Sequence, residues 1–205
     1  MNAMAPPLPN TTAVIDTSAI FRLSVADYHE MGERGILTPE DRVELLDGYL
    51  VRKSMQKSPH GSTVVRLTHK LVLATSAGDW QTRIQVPVTL DGSEPEPDGV
   101  LARGDLRAYD QRHPTASDIG LVVEVSDCSL RLDRDGKGPI YARAGIPVYW
   151  LVNIPDARIE VYTLPSGPTA DPAYGSRQDF AATDAVTLTL DGQPAATLAV
   201  SDILP

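Results

Sequence analysis

Cysteine is nearly absent from this chain of 205 residues: Cys128 stands alone. One thiol excludes an internal disulfide and a cysteine zinc cluster, and it fits a reducing cytoplasm. Long apolar runs are missing too. None approaches the roughly 18 residues of a membrane-spanning helix, so no membrane partner is expected. Met1 to Asn10 contain no lysine or arginine and no long apolar segment, and do not read as a secretory signal. Positive charge is scarce: 18 Lys and Arg against 27 Asp and Glu give a net charge of −9. That balance argues against holding nucleic acid through bulk electrostatics, but it leaves room for an acidic metal site with a small basic patch beside it. His29, His60, His69 and His113 show no zinc-like spacing, and no Gly-x-Ser-x-Gly elbow accompanies Cys128, Ser126 and Ser129. No internal repeat is visible. Residues 21–205 read as one domain, preceded by a Pro-, Asn- and Thr-rich arm over residues 1–20.

What is present is ordered patterning. Leu121 to Ser126 and Val148 to Asn153 are β-branched runs flanking a helix-compatible segment that ends at Gly145, which predicts a strand–crossover–strand unit. Their near-continuous apolar character is that of central strands covered on both faces. Ser24 and Asp27 open a short helix closed by Gly35, and Asp47-Gly48 between apolar runs predicts a hairpin. Ser58-Pro59 reads as an N-cap followed by a helix with Val64, Leu67, Leu71 and Ala74 on one face. Trp80 to Leu90 alternates as a half-buried strand, with Pro87 placing it at an edge or bulge. A hairpin around Pro155-Asp156-Ala157, a Pro/Gly/Ser-rich loop over residues 165–176, and a last turn at Asp191-Gly192 before an apolar tail complete the reading.

Three acids lie in or beside apolar strands: Glu44, Asp98 and Glu124. Glu124 sits among Val122, Val123 and Val125, where a carboxylate is costly unless paired. A hard cation such as Mg²⁺ takes one or two carboxylates plus water and phosphate, so Asp98 and Glu124 on neighbouring strands would suit it. Lys137 is the candidate to orient water and offset transition-state charge. Structural alternatives stand beside each. Glu44 pairs equally well with Arg42 or Arg52 on a strand face, and Asp98 lies in an acidic, proline-rich turn. Glu124 is able to point outward, and Lys137 to be a surface charge. His60, near Arg52, Lys53 and Lys57, belongs more readily to a solvated face than to a phosphate site. Tyr149 and Trp150 read as core, and Asp133 as a helix cap rather than a holder of Lys137.

The ordered set Val43-Glu44-Leu45-Leu46-Asp47-Gly48, Glu96-Pro97-Asp98, Val122-Val123-Glu124-Val125-Ser126, Asp133-Arg134 with Lys137, and Tyr141-Ala142-Arg143-Ala144-Gly145-Ile146-Pro147 with its following strand resembles the bacterial Uma family of candidate restriction endonucleases, within the PD-(D/E)XK nuclease superfamily. The likeness covers roughly residues 22 to 164. It implies an α/β fold with a restriction-endonuclease-like core, a central mixed β-sheet flanked by helices. Carried over, Asp98 is the Asp of the Pro-Asp motif, and Glu124 the acid of the second half-motif. The lysine expected two positions later is replaced by Ser126, and the migrated lysine falls on Lys137. Glu44 is the additional acid near the start of the fold. The Gly-Glu that precedes the migrated lysine reads Asp135-Gly136 here. Gly136, Gly138 and Pro139 point to a loop rather than a helical turn at Lys137.

These readings lead to a cytoplasmic, Mg²⁺- or Mn²⁺-dependent endodeoxyribonuclease. Glu44, Asp98, Glu124 and Lys137 are its catalytic candidates; Asp98, Glu124 and the Val125 carbonyl are its metal ligands, with DNA as substrate and a homodimer as assembly. The competing reading is a nuclease-fold binding or assembly module without efficient chemistry. A third is a hydrolase of small phosphoesters, for which acidic charge is less of an obstacle.

Overall fold

The computed structural model describes residues 19–76 and 78–205, so the expected arm lies almost wholly outside the described residues. Helix α1 (Val25–Glu33) opens on a reciprocal capping box between Ser24 and Asp27, and Gly35 follows it at φ 67°. Strands β1 (Val43–Leu46) and β2 (Tyr49–Arg52) pair antiparallel about Asp47 and Gly48. Both turn residues have positive φ, 49° and 78°, as a two-residue hairpin matched to strand twist requires. Helix α2 (Ser58–Thr75) starts one residue earlier than the sequence suggests, with Lys57 at the cap and Pro59 in the first turn. It buries Val64, Leu67 and Leu71, the apolar face read from their spacing.

The central sheet has six strands in the order β3 (Trp80–Arg83), β4 (Gly99–Arg103), β5 (Ile119–Ser126), β6 (Val148–Asn153), β7 (Arg158–Pro165) and β8 (Tyr174–Ala181). Only β5 and β6 run parallel; the other neighbours are antiparallel. Every residue of β5 and β6 is buried, as their continuous apolar runs predict. On one face, Val123, Val125, Trp150 and Val152 join Leu67 and Leu71 of α2, and Val186, Leu188 and Leu198 from the hairpin of β9 (Ala185–Leu190) and β10 (Gln193–Ala199). On the other, Val122, Tyr149 and Leu151 meet Leu46 of β1 and residues of the crossover. The apolar tail, with Val200, Ile203 and Leu204, is spent on this chain's own core.

Three expectations need correction. The strand over residues 80–90 stops at Arg83, because Gln85 turns to φ 51° and Pro87 has no donor for a ladder. The segment beyond forms an irregular hairpin in which Gln85 and Val88 donate to the carbonyls of Pro97 and Pro95. The loop over residues 165–176 is shorter than expected, since β7 reaches Pro165 and β8 begins at Tyr174. Lys137 is not in a loop: Leu132–Lys137 forms a π-helical turn that runs directly into α3 (Gly138–Arg143). Gly138 N–H bonds back to the Asp133 carbonyl, and this wider turn gives room to the Pro139 ring, which would clash with the carbonyl four residues back in a tighter helix.

Between Leu101 and Ala102 the β4–β5 register slips, leaving Gly120 as the extra residue of a bulge. A Cβ there would lie 2.6 Å from the Trp80 ring and 2.9 Å from Leu190. Gly120→Ala is therefore expected to destabilise the fold by about 1–3 kcal/mol through overpacking, measured as a lower urea midpoint with an unchanged slope. An unshifted midpoint would contradict this account of the bulge.

Candidate active site

Asp98 directly precedes β4, and Gly99 stands opposite Val123 of β5, so Asp98 and Glu124 lie at the same end of neighbouring strands. Val125 N–H donates to Asp98 Oδ2 at 2.8 Å, and Gln85 Nε2 to Oδ1 at 3.0 Å. His60 Nε2 lies 3.1 Å from the same Oδ2. Lys137 Nζ sits between two carboxylates, 3.0 Å from Glu44 Oε2 and 3.1 Å from Glu124 Oε1. The Tyr141 hydroxyl donates to Glu124 Oε1 at 2.7 Å, and Glu96 N–H to Glu44 Oε2 at 3.1 Å. All four candidates line one cleft of about 80 Å³, with Val125, His60, Asp133, Lys53 and Lys57 also in its wall.

The crossover is fastened on both sides of Lys137. Asp133 Oδ2 accepts from Ser126 Oγ at 2.6 Å and Ser129 Oγ at 2.5 Å, and the Tyr149 hydroxyl donates to the Asp133 carbonyl at 3.1 Å. Arg134 reaches Glu160 on β7, donating from Nε at 3.1 Å. Glu160 is itself fully buried, and accepts from Asn153 at 2.8 Å and from the Tyr162 hydroxyl at 2.6 Å. Two consecutive residues of the π turn thus hold it to β5 and β7, which aims Lys137 between the acids.

Burial by itself would lower Lys137, but the charges of Glu124, Glu44 and Asp133 outweigh it and hold the ammonium well above the ordinary lysine range. Glu124 is pushed upward by burial; Lys137 opposes this, while Asp133, Asp98 and Glu44 add to it. Asp133 is also raised, chiefly by burial, against the pull of Lys137 and its two serines. Glu44, Glu124 and Asp133 act on one ammonium, while Asp98 faces His60, which burial would lower but the Asp98 carboxylate raises; the site is short of positive charge.

The sequence candidates Glu44, Asp98, Glu124, Lys137 and Val125 therefore come together in space. Glu44 pairs with Lys137, not with Arg42 or Arg52, and Glu124 points into the cleft wall rather than to bulk water. Two residues were read differently from sequence. His60 is buried against Asp98 rather than on a solvated face, because the first turn of α2 packs over the strand ends. Asp133 caps nothing; the π turn points its carboxylate at the Ser126 and Ser129 hydroxyls. Tyr141 is a site residue that the sequence reading places only within a motif; its position one turn after Lys137 on the crossover is the signal that points to it.

Among the described residues, no three Asp, Glu, His or Cys side chains converge to enclose an ion by themselves. Two carboxylates on adjoining strands at a cleft, in a site where buried acids outnumber cations, nonetheless fit a hard divalent cation that keeps most of its water. They do not fit a closed zinc site.

The sheet order and the parallel β5–β6 crossover make a mixed α/β fold with a restriction-endonuclease-like core. The chain matches the Uma2 family, described as "Putative restriction endonuclease", over residues 25–201, and it belongs to that family. A solved structure titled as that of a "putative nuclease belonging to DUF820" from Anabaena variabilis ATCC 29413 is similar in fold. Its TM-score is 0.66 at 12% identity, covering 88% of this chain and 97% of that one. No curated protein matches the chain. Among the described residues no helix is long and apolar enough to cross a membrane.

Lys137→Met leaves Glu44 and Glu124 buried together without their cation. The expected cost is about 3–5 kcal/mol near neutral pH. Without the ammonium, Glu124 rises further, and a carboxyl raised in the folded state favours folding below its unfolded pKa and loses that contribution as pH rises through the folded value. Urea unfolding should thus show a smaller deficit at about pH 5 than at about pH 8. An equal deficit at both would mean that the lysine does not compensate these acids.

Proposed function

We propose that the chain is a divalent-cation-dependent endonuclease that hydrolyses DNA phosphodiester bonds, in a single domain over residues 21–205. The observation that carries this reading is Lys137, held between Glu44 and Glu124 beside Asp98 in one cleft. Family membership and fold support it. Asp98, Glu124 and the Val125 carbonyl would hold Mg²⁺ or Mn²⁺. Bound there, the ion supplies Lewis-acid charge and a more acidic water. Lys137 stays cationic, so its part is to donate a hydrogen bond and offset negative charge growing on the phosphoryl group, not to act as a base. Glu44 orients that ammonium and is an outer or second-ion ligand. Lys53 and Lys57 in the cleft wall, each beside an acid (Glu96 and Asp127), would supply a small basic patch once drawn to a phosphate.

The exposed single thiol supports a cytoplasmic setting. A homodimer would use the sheet edge at β8, since the apolar tail is buried within the chain. One observation favours the alternative, a nuclease-fold module without efficient chemistry. Both oxygens of Asp98 are already engaged by protein donors, so an ion must share them.

Nicking of supercoiled plasmid at low salt with Mg²⁺ or Mn²⁺ separates the readings. Wild type should nick, and Glu124→Gln, which keeps a partner for Lys137 and Tyr141, should lose about 100-fold or more in rate. Asp98→Asn should do the same. Undiminished nicking by either variant would remove that residue from the mechanism. A wild type that binds the ion but leaves plasmid intact would favour the binding module or a small phosphoester substrate.

A further inference from the structure

We propose that His60 is a positioning residue: its Nε2 fixes the carboxylate of Asp98 and thereby sets how tightly the site holds a divalent cation. The inference rests on the reading of Asp98 as a metal ligand given above. His60 stands in the first turn of α2, is 8% exposed, and places Nε2 3.1 Å from Asp98 Oδ2. Val125 N–H from β5 and Gln85 from the segment after β3 complete the set. The carboxylate is therefore clamped by donors from three separate parts of the chain, which fixes both its plane and its reach. Outer partners of this kind orient metal-binding carboxylates and are typically worth about 10–100-fold in metal affinity or activity.

Among the described residues, the other nitrogen makes no hydrogen bond that would hold this histidine in place, so its polar contact is the one to Asp98. His60 Nδ1 is buried and has no partner among the described residues. Whichever way its protons sit, Nδ1 is left without a partner, a cost to the fold that the Nε2 contact with Asp98 offsets. Gln85 approaches the opposite oxygen from an irregular segment at positive φ, so His60 is the clamp mounted on a formed helix.

Mn²⁺ binding, read from the electron paramagnetic resonance of the free ion, tests this together with thermal melts of the metal-free proteins. Wild type, Asp98→Asn, His60→Ala and His60→Gln are compared. His60→Ala should weaken Mn²⁺ binding by about 10–100-fold with its metal-free melting temperature kept or raised. His60→Gln, whose amide restores a donor to Oδ2, should recover most of the affinity. If Asp98→Asn abolishes binding while His60→Ala binds as wild type does, the inference about His60 falls and the metal reading stands. Equal loss in the Ala and Gln variants, or metal-free proteins that no longer fold, would make His60 a structural residue and overturn the proposal. Wild type that binds no Mn²⁺, or Asp98→Asn that binds it unchanged, would overturn the metal reading and this inference with it.

Discussion

A lysine ammonium, 5% exposed and clasped between two glutamates, is the constraint on which the rest of the structure turns. A buried charge without a partner costs several kcal/mol, so Lys137 is tolerable only where Glu44 and Glu124 meet it. Those three side chains come from the first hairpin, a central strand and the crossover that follows it, and the hairpin lies far from the other two in sequence. The fold has to bring them to one point to be stable, and doing so builds the cleft. Glu96 N–H on Glu44 and the Tyr141 hydroxyl on Glu124 complete the satisfaction that a buried ion pair needs.

The crossover shows how that aim is achieved. A regular α-helix through Gly136, Lys137, Gly138 and Pro139 would be weak, and the proline would strike the turn before it. The π turn removes the clash, and Asp133 and Arg134 tie it to Ser126 and Ser129 on one side and Glu160 on the other. Positioning of Lys137 is thus delegated to its predecessors in the chain. The two glycines, which weaken the turn locally, are tolerated because side chains outside it supply the rigidity.

Features governed by local physics were legible in the sequence. The Asp47-Gly48 hairpin follows from positive φ at two residues, α1 from its capping box, and the β5–crossover–β6 unit from two β-branched runs too apolar to face water. The likeness carried by motif order anticipated which acids and which lysine converge. His60 was not legible, because its partner lies 38 residues away and nothing in the local sequence distinguishes it from a helix-start surface residue. β8 was missed for the opposite reason. Gly175, Ser176, Arg177, Gln178 and Asp179 hold no apolar alternation, and only pairing with β7 makes them a strand. Asp133 looked like a cap because caps are the common use of Asp at a helix start; a π turn sends the same side chain elsewhere.

The acidic balance of the chain bears on how it would meet DNA. The site concentrates four carboxylates against one ammonium and one histidine, yet the chain outside it is acidic as well. Long-range attraction to a phosphate backbone is therefore weak, and the salt dependence of any binding should be shallow because few cations contact phosphate. The cations in the cleft wall are not free either: Lys53 is bonded to Glu96, and Lys57 lies 3.9 Å from Asp127. A phosphate entering the cleft would have to take those lysines from their acids, which is favourable only if the excess negative charge beneath them is neutralised first. On the proposed reading, a cation held by Asp98 and Glu124 would do that neutralising. The same charge excess that raises Glu124 would then make substrate binding conditional on the ion, coupling the two through electrostatics alone.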